Sequence, residues 1–405
     1  MKFKISLLAG LAAFGFASSA NAQTVINITG ATAFRAAMNT TIRTLLDDGA
    51  PGTAKYAWVG SAGPSGYTAS NRVIVEGNIG GQPFIIRTSQ SGSTQGIQNV
   101  VLQTTTPTAF LDVALTSTDR TVAGTNLASD AGKTAAGVIP RFAFSDVSQD
   151  ISNNPTPALP GSGVGVVPFV FVANVGAPAG LTAMTDQLHE AQWSLGQLPL
   201  SMYTGNPLDT KIVLNTGRNN GSGTRATILA ETQYGPFRTV VQWGGPNNVS
   251  NISGGEGAGT VNTLISLENG GYSSNSFVRQ NLARTSAAVS VAGGPPQDIV
   301  IVSYLTLSDA AAITTITNGP GVGARALTYN GVAYSENNVK NGAYTLWGYQ
   351  QFYGSVDITA AETTFFNAFV AGIQPNLDPL ATGIRTTEMN VTRDGGDGGI
   401  ITPGI

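Results

Sequence analysis

The sequence predicts an α/β fold with parallel strands, and three observations lead there. Short apolar runs suited to buried strands, at residues 24–28, 83–88 and 211–215, each stop at a loop of small polar residues. Each of these loops is followed by a stretch whose spacing suits a helix. The order strand, loop, helix then recurs along the chain, the pattern of a parallel sheet covered by helices. In such sheets ligands sit beyond the C-terminal ends of the strands, where the loops gather.

Taken in order, Thr24-Val25-Ile26-Asn27-Ile28 reads as the first strand and Thr29-Gly30-Ala31-Thr32 as a turn. Residues 33–46 read as a helix, with Phe34, Met38, Ile42 and Leu45 at helical spacing. Residues 50–82 are rich in Gly, Ser and aromatics and read as a loop or hairpin insertion. Residues 83–88 form a second strand, Ser89-Gln90-Ser91-Gly92-Ser93 a loop, and a helix is expected from Thr94. A further apolar run, Phe142-Ala143-Phe144, ends at Ser145-Asp146. Residues 154–160, with three prolines, read as a linker, and the long apolar run 163–175 as a strand crossing into a second lobe. Residues 183–193 suggest a surface helix and 247–259 a loop. In residues 360–373, Phe365, Phe366, Phe369, Val370 and Ile373 form a helical core face rather than a ligand box. The tail 394–405 carries five glycines and is expected to fray.

Composition narrows the function. The chain has 405 residues, room for two or three domains. With a net charge of −3 and only 11% charged residues, it offers no basic patch for nucleic acid and no polybasic membrane anchor. It contains no cysteine, which removes disulfides, thiolate metal sites, cysteine nucleophiles and the acylated cysteine of a lipoprotein. Lys2 and Lys4, the apolar stretch 5–16 and Ala20-Asn21-Ala22 form a signal peptide, so the mature chain is expected to start at Gln23. No later stretch reaches the ~18 apolar residues of a membrane span. A periplasmic or secreted protein without direct membrane anchor is expected.

The most telling stretch is the strand at 211–215 followed by Gly217-Arg218-Asn219-Asn220-Gly221-Ser222-Gly223-Thr224-Arg225. A glycine-rich turn opening a helix aims free N–H groups, hydroxyls and a cation at one place, which is an anion site.

In their order, these loops resemble those of the type II periplasmic solute-binding proteins, specifically the phosphate-binding branch. Ile28-Thr29-Gly30-Ala31-Thr32-Ala33-Phe34 is similar to that family's opening loop, Ser89-Gln90-Ser91-Gly92-Ser93 to its serine-glycine loop, and Phe144-Ser145-Asp146 to its aspartate-bearing strand end. Arg218-Asn219-Asn220-Gly221-Ser222-Gly223-Thr224 matches its Arg-x-Asp-Gly-Ser-Gly-Thr loop at all but one fixed position. Similar blocks continue at 301–310, 329–332, 336–339 and 341–347, while 50–82 and 233–297 match poorly.

The resemblance implies two Rossmann-like lobes joined by a hinge, the type II periplasmic binding protein fold. Lobe 1 would span 23–166 plus 344–405 and lobe 2 would span 167–343. It also implies phosphate or a related oxyanion as ligand and the membrane subunits of an ABC importer as partner. Backbone N–H groups at Thr32, Ala33 and Phe34, and the Thr32 hydroxyl, would serve from lobe 1. Ser91 or Ser93 would donate from the second loop. Ser222 and Thr224 hydroxyls and the Gly223 N–H would complete the far side, with Arg218 supplying the strong charge-assisted bonds. Asp146 would accept the proton of the ligand and so reject fully ionised oxyanions such as sulfate; the competing reading is a helix cap. Asn220 departs from the family's aspartate and leaves Arg218 less neutralised, which opens the site to other oxyanions. Arg35, Arg87 and Arg225 lie near the loops, read first as solvated or helix-pairing arginines and second as ligand contacts.

Other signals fail. His189 is the only histidine, too few for a histidine metal site or catalytic set, and reads as a surface helix residue. Gly132-Lys133-Thr134 has Leu127 where a P-loop needs glycine, and Gly255-Glu256-Gly257-Ala258-Gly259 has Thr260 where a dinucleotide fingerprint does. No nucleophile–base pair, metal cluster or cofactor motif stands out, so a binding protein rather than an enzyme is expected. A secreted surface or matrix protein that keeps the fold without transport is the alternative, given the low charge and the Asn/Thr/Gly-rich surface.

Overall fold

A computed structural model describes residues 23–60, 66–245, 262–314, 323–378 and 383–404. The expected signal peptide and the 247–259 loop lie outside the described residues.

Twelve strands form one mixed sheet: β1 (Thr24–Gly30), β2 (Lys55–Val59), β3 (Arg72–Ile79), β4 (Gln82–Ser89), β5 (Thr125–Leu127), β6 (Phe142–Ser145), β7 (Gly161–Ala173), β8 (Gln197–Pro199), β9 (Ile212–Asn215), β10 (Ile299–Thr306), β11 (Arg325–Ala326) and β12 (Trp347–Gly354). Their order is β8-β9-β10-β7-β12-β6-β1-β4-β3-β2-β5, with β11 beside β7. The helices that concern the site are α1 (Arg35–Leu46), α2 (Ser93–Val101), α3 (Asp186–Leu195), α4 (Gly223–Glu231), α5 (Leu307–Ala311) and α6 (Ala360–Ile373). The fold is mixed α/β. Within this sheet the parallel pairs are β1–β4, β1–β6, β2–β5 and β9–β10. Antiparallel strands join these groups.

Strand β7 is long enough to serve both halves of the sheet. Its residues 161–168 pair with β12, and 169–173 pair with β10. From Val164 to Ala173 it is buried without a break, which is why it reads as continuous apolar sequence rather than as an alternating pattern. Behind β6 and β12, α6 packs the aromatic face expected from its spacing: Phe352 lies 4.5 Å from Phe369 between ring centroids and 5.3 Å from Phe142. The Thr359 hydroxyl and Glu362 carboxylate form a capping box that starts α6.

Several sequence expectations are corrected. Residues 50–82 are not an insertion: β2 and β3 belong to the main sheet, and the hairpin there is β3–β4, its turn at Gly80-Gly81. His189 is not on the surface but fully buried, stacked on Trp193 at 4.3 Å with Phe171 and Tyr234 around it. Burial pushes its pKa down to about 3. The glycine-rich tail is docked rather than frayed: Val391–Asp394 pairs with Ile400–Pro403, and Asp397 between them is buried.

Candidate functional site

Two helix starts and one strand end meet at the centre of the sheet. Strand β1 ends at Gly30, whose φ of +116° suits glycine, and where a Cβ would stand 2.8 Å from the Phe144 nitrogen. A Cβ on Gly96 would fall 2.6 Å from the Gly30 Cα. These two glycines let α2 settle against β1 and β6, which brings Ser93 beside the residue that follows β6, Asp146. From the other half, β9 leads through the turn 216–222 into α4. Ser222 caps α4, its hydroxyl accepting from the Arg225 N–H at 3.3 Å.

Asp146 is the meeting point. Its Oδ1 accepts the Ser93 hydroxyl and its Oδ2 accepts the Thr224 hydroxyl at 3.0 Å. Its carbonyl accepts the Thr227 hydroxyl at 2.7 Å. Gly223 lies against the same carboxylate so closely that a Cβ there would overlap Oδ1 and stand 2.5 Å from Ser93 Cβ and Oγ. Ser93, Asp146, Ser222 and Thr224 are all 2–3% exposed. A carboxylate thus sits at the start of α4, where a helix leaves N–H groups without intrahelical acceptors and favours negative charge. Asp146 caps no helix of its own; the short turn of helix at Gln149–Ile151 begins after Ser148.

The cations beside this centre are held by the chain itself. Arg218 donates from Nη1 to Asn275 Oδ1 at 2.7 Å, from Nη2 to the Ser273 carbonyl at 3.0 Å and from Nε to the Tyr272 carbonyl at 3.2 Å. Burial pushes its guanidinium below the usual arginine range, and the charges of Asp146, Tyr304 and Asp309 offset part of that. Arg225 is buried against Asn269 and the Arg218 carbonyl. Arg87 bonds Asn27 at 2.8 Å and the Leu111 carbonyl at 3.0 Å. These two are therefore not solvated. Arg35, at the first turn of α1, bonds Asn71; burial lowers its pKa and the charge of Asp309 on α5 opposes that shift. Asp309 in turn pairs with Arg279 at 2.9 Å.

The expected site residues therefore fall into groups. Ser93, Asp146, Gly223 and Thr224 are in contact, and Ser222 and Arg218 are adjacent. Ser91 bonds Thr29 at 2.8 Å instead, and Ser93 is the serine beside Asp146. Thr32, Ala33 and Phe34 lead into α1, with Phe34 at its N-cap. Phe34 is fully buried against Phe144, and Thr32 is exposed. Asn220 is exposed on the rim of a polar depression shared with Thr94, Gln95, Gln98, Asn153, Asn154 and Gly221. Sequence reasoning missed Thr94, whose hydroxyl donates to the Gly221 carbonyl and ties α2 to the turn before α4. It also missed Thr227; its signal was its spacing of three from Thr224 on one helix face. Among the described residues no group of His, Asp or Glu is placed to hold a metal ion.

No protein-family model matches the chain, and no curated protein matches it in sequence. Solved structures do align with it. An ABC-type phosphate transport receptor from Vibrio cholerae is 11% identical over 85% of this chain and 93% of its own, with a TM-score of 0.43. A putative phosphate ABC transporter substrate-binding protein from Clostridium perfringens, solved with bound phosphate, is 12% identical over 90% of this chain and 100% of its own, with a TM-score of 0.45. A possible phosphate-binding protein from Planctomyces limnophilus is 10% identical over 87% and 86%, with a TM-score of 0.38.

Proposed function

We propose that this chain is an extracytoplasmic solute-binding protein that captures phosphate or a related oxyanion at the Asp146 centre for an ABC importer, without chemical turnover. The observation that carries the reading is the convergence on one buried carboxylate of two hydroxyls and a helix start drawn from both halves of the sheet. An oxyanion needs many donors, and the start of α4, Ser93, Thr224 and the N–H groups at Thr32, Ala33 and Phe34 would supply them. Asp146 would take the proton of a protonated oxyanion. Arg218 would contribute by its field from behind the turn, because its guanidinium is engaged with residues 272–275. Ser222, Ser91 and Asn220 would support the loops rather than touch the ligand.

The two lobes would be 23–166 with 344–405 and 167–343, and β7 and β12, shared by both halves of the sheet, would form the hinge. A leader ending near Ala22 and the absence from the described residues of any helix long and apolar enough to cross a membrane fit this reading.

A second reading has its own observation in favour. Asp146, Arg218 and Arg225 are all satisfied by groups of the chain, as expected of a secreted surface or matrix protein that keeps the fold without a ligand. Titration calorimetry of the mature chain with phosphate, arsenate and sulfate separates the two. Micromolar or tighter binding of phosphate and arsenate with sulfate excluded supports capture; no heat with any of the three refutes it.

A further inference from the structure

The C-terminal hairpin reaches the candidate site from behind, and a charged network rather than an apolar plug holds it there: Arg393 and Asp397 of the hairpin and Glu231 of α4. At its tip Asp397 is 5% exposed. Its Oδ2 accepts the Ser148 N–H at 2.7 Å and its Oδ1 accepts the Tyr349 N–H at 3.2 Å. Ser148 stands two residues past Asp146, and Tyr349 lies on β12. The next residue, Gly398, donates its N–H to Glu231 Oε1 at 2.8 Å. Arg393, on the first strand of the hairpin, pairs with Glu231 Oε2 at 2.5 Å, with the two side chains 3% and 1% exposed. Glu231 is the last residue of α4, the helix whose first turn holds Thr224.

The hairpin thus grips both partners of the Thr224–Asp146 bond. One hand is the Ser148 N–H, which fixes the backbone leaving Asp146. The other is Glu231, which fixes α4 at its far end, reinforced by Gln233 Nε2 donating to the Gly398 carbonyl at 2.9 Å. Between them, Gly348 leaves room for Thr227 and Asp397 together, since a Cβ there would meet both side chains. Arg393 also donates to the Thr345 and Trp347 carbonyls at 2.5 and 3.0 Å and lies 4.2 Å from the Trp347 ring, so the tail is anchored to the start of β12 as well. Burial pushes the Asp397 carboxyl up to about 6 and the Glu231 carboxyl well above the usual range. A buried network of this kind is a poor way to gain stability and a good way to fix one geometry. The hydrogen bonds of Asp397 are directional and go to backbone, so they set the course of the chain rather than only filling space.

We propose that Asp397 is a positioning residue for the oxyanion site: through Ser148 and the Glu231-bound hairpin it sets the distance between the Asp146 carboxylate and the first turn of α4, and with it the selectivity of the site. The proposal rests on the oxyanion reading for its effect on binding, but not for its effect on backbone geometry.

The test compares the mature chain with Asp397→Ala, Asp397→Asn and, as a control, Thr402→Val, which removes a hydroxyl contact with Thr392 on the exposed side of the same hairpin. Titration calorimetry with inorganic phosphate and with sulfate is run beside amide hydrogen exchange. Asp397→Ala leaves two buried N–H groups without acceptors, so phosphate affinity and the phosphate-over-sulfate ratio should each fall about tenfold. Asp397→Asn, which keeps one acceptor, should recover part of both, and Thr402→Val should change neither. Lower melting temperature in Asp397→Ala with affinity and ratio unchanged overturns the proposal. If the unmodified chain binds neither ion, the oxyanion reading falls, and hydrogen exchange alone decides the positioning claim. Faster exchange spreading from Ser148 into the first turn of α4 supports it, and faster exchange confined to Ser148 and Tyr349 overturns it.

Discussion

Replacing Gly223 by alanine probes the fit at the centre of the site. On a helix position alanine is normally the better residue, by up to about 1 kcal/mol. Here the added Cβ would overlap Asp146 Oδ1 and stand 2.5 Å from both Ser93 Cβ and Oγ, so α4 must back away from α2 and Asp146. Overpacking of this kind costs roughly 1–3 kcal/mol. The retreat also opens the 3.0 Å Thr224–Asp146 bond, and a hydrogen bond to a charged group contributes roughly 1.5–3 kcal/mol. Net of the helix gain, a destabilisation of about 2–4 kcal/mol is expected, together with loss of most phosphate binding. Gly221→Ala is the control two residues earlier. Its Cβ would meet only Asn219 Oδ1 at 3.8 Å and Thr94 Oγ1 at 4.0 Å, ordinary van der Waals contacts. Urea unfolding of both variants, with calorimetry against phosphate, gives the comparison. If Gly223→Ala is as stable and binds as tightly as Gly221→Ala, the close approach of α4 to Asp146 is not a feature of the protein in solution.

Asp146→Asn removes the charge that would exclude fully ionised oxyanions; the phosphate-over-sulfate ratio from competitive calorimetry should fall about tenfold to a hundredfold, or the acceptor role is wrong. His189 is buried with neither ring nitrogen hydrogen-bonded among the described residues. Its folded pKa of about 3 lies below the ordinary 6.5. Stability from this group is therefore present above pH 6.5 and lost as pH falls toward 3, by about 5 kcal/mol in all. In urea titrations at stepped pH, His189→Phe should flatten that acid limb, and an unchanged slope would count against the buried neutral imidazole. Asp397 acts in the opposite sense. Its folded pKa is raised from 3.8 to about 6, so the stability it contributes is present below pH 3.8 and lost as pH rises through 6, by about 3 kcal/mol. Asp397→Asn should remove that fall between pH 4 and 6, and a wild-type slope in the variant would exclude it.

The elements legible in the sequence are those whose signals are local. Helix α6 shows its capping box at Thr359 and Glu362 and its phenylalanines at helical spacing, and it forms as expected. The turn before α4 carries its own cap, Ser222, and its own close-approach glycine, Gly223. What failed was set by distant neighbours. His189 lies in a stretch with Asp186, Gln187, Glu190 and Gln192 close by, and nothing local tells that Phe171 and Tyr234 will close over it. The tail's glycines carry a large ordering cost, and its reading as frayed ignored acceptors and donors at Glu231, Ser148 and Tyr349, more than forty positions away from it in the chain. Residues 50–82 were obscured because glycine and serine turns interrupt short strands whose apolar faces only the neighbouring β4 makes sense of.

The spelling of the turn from Arg218 to Thr224 says only that an anion belongs at the start of α4, and the first anion found there is the protein's own Asp146. That substitution has a consequence for selectivity. Any oxyanion entering must draw the Ser93 and Thr224 hydroxyls away from the Asp146 carboxylate, leaving two acceptor oxygens in a site only 3% exposed. A ligand that carries a proton gives one hydrogen bond back to the carboxylate as it takes the hydroxyls; a fully ionised one takes them and adds like charge. Unsatisfied buried acceptors cost roughly 1–3 kcal/mol each, more when charged, so on the proposed reading protonated oxyanions are favoured by at least tenfold. That preference does not depend on the residue at 220, which is exposed on the rim. On that reading Asp146, and not the exposed Asn220, would set the preference for phosphate.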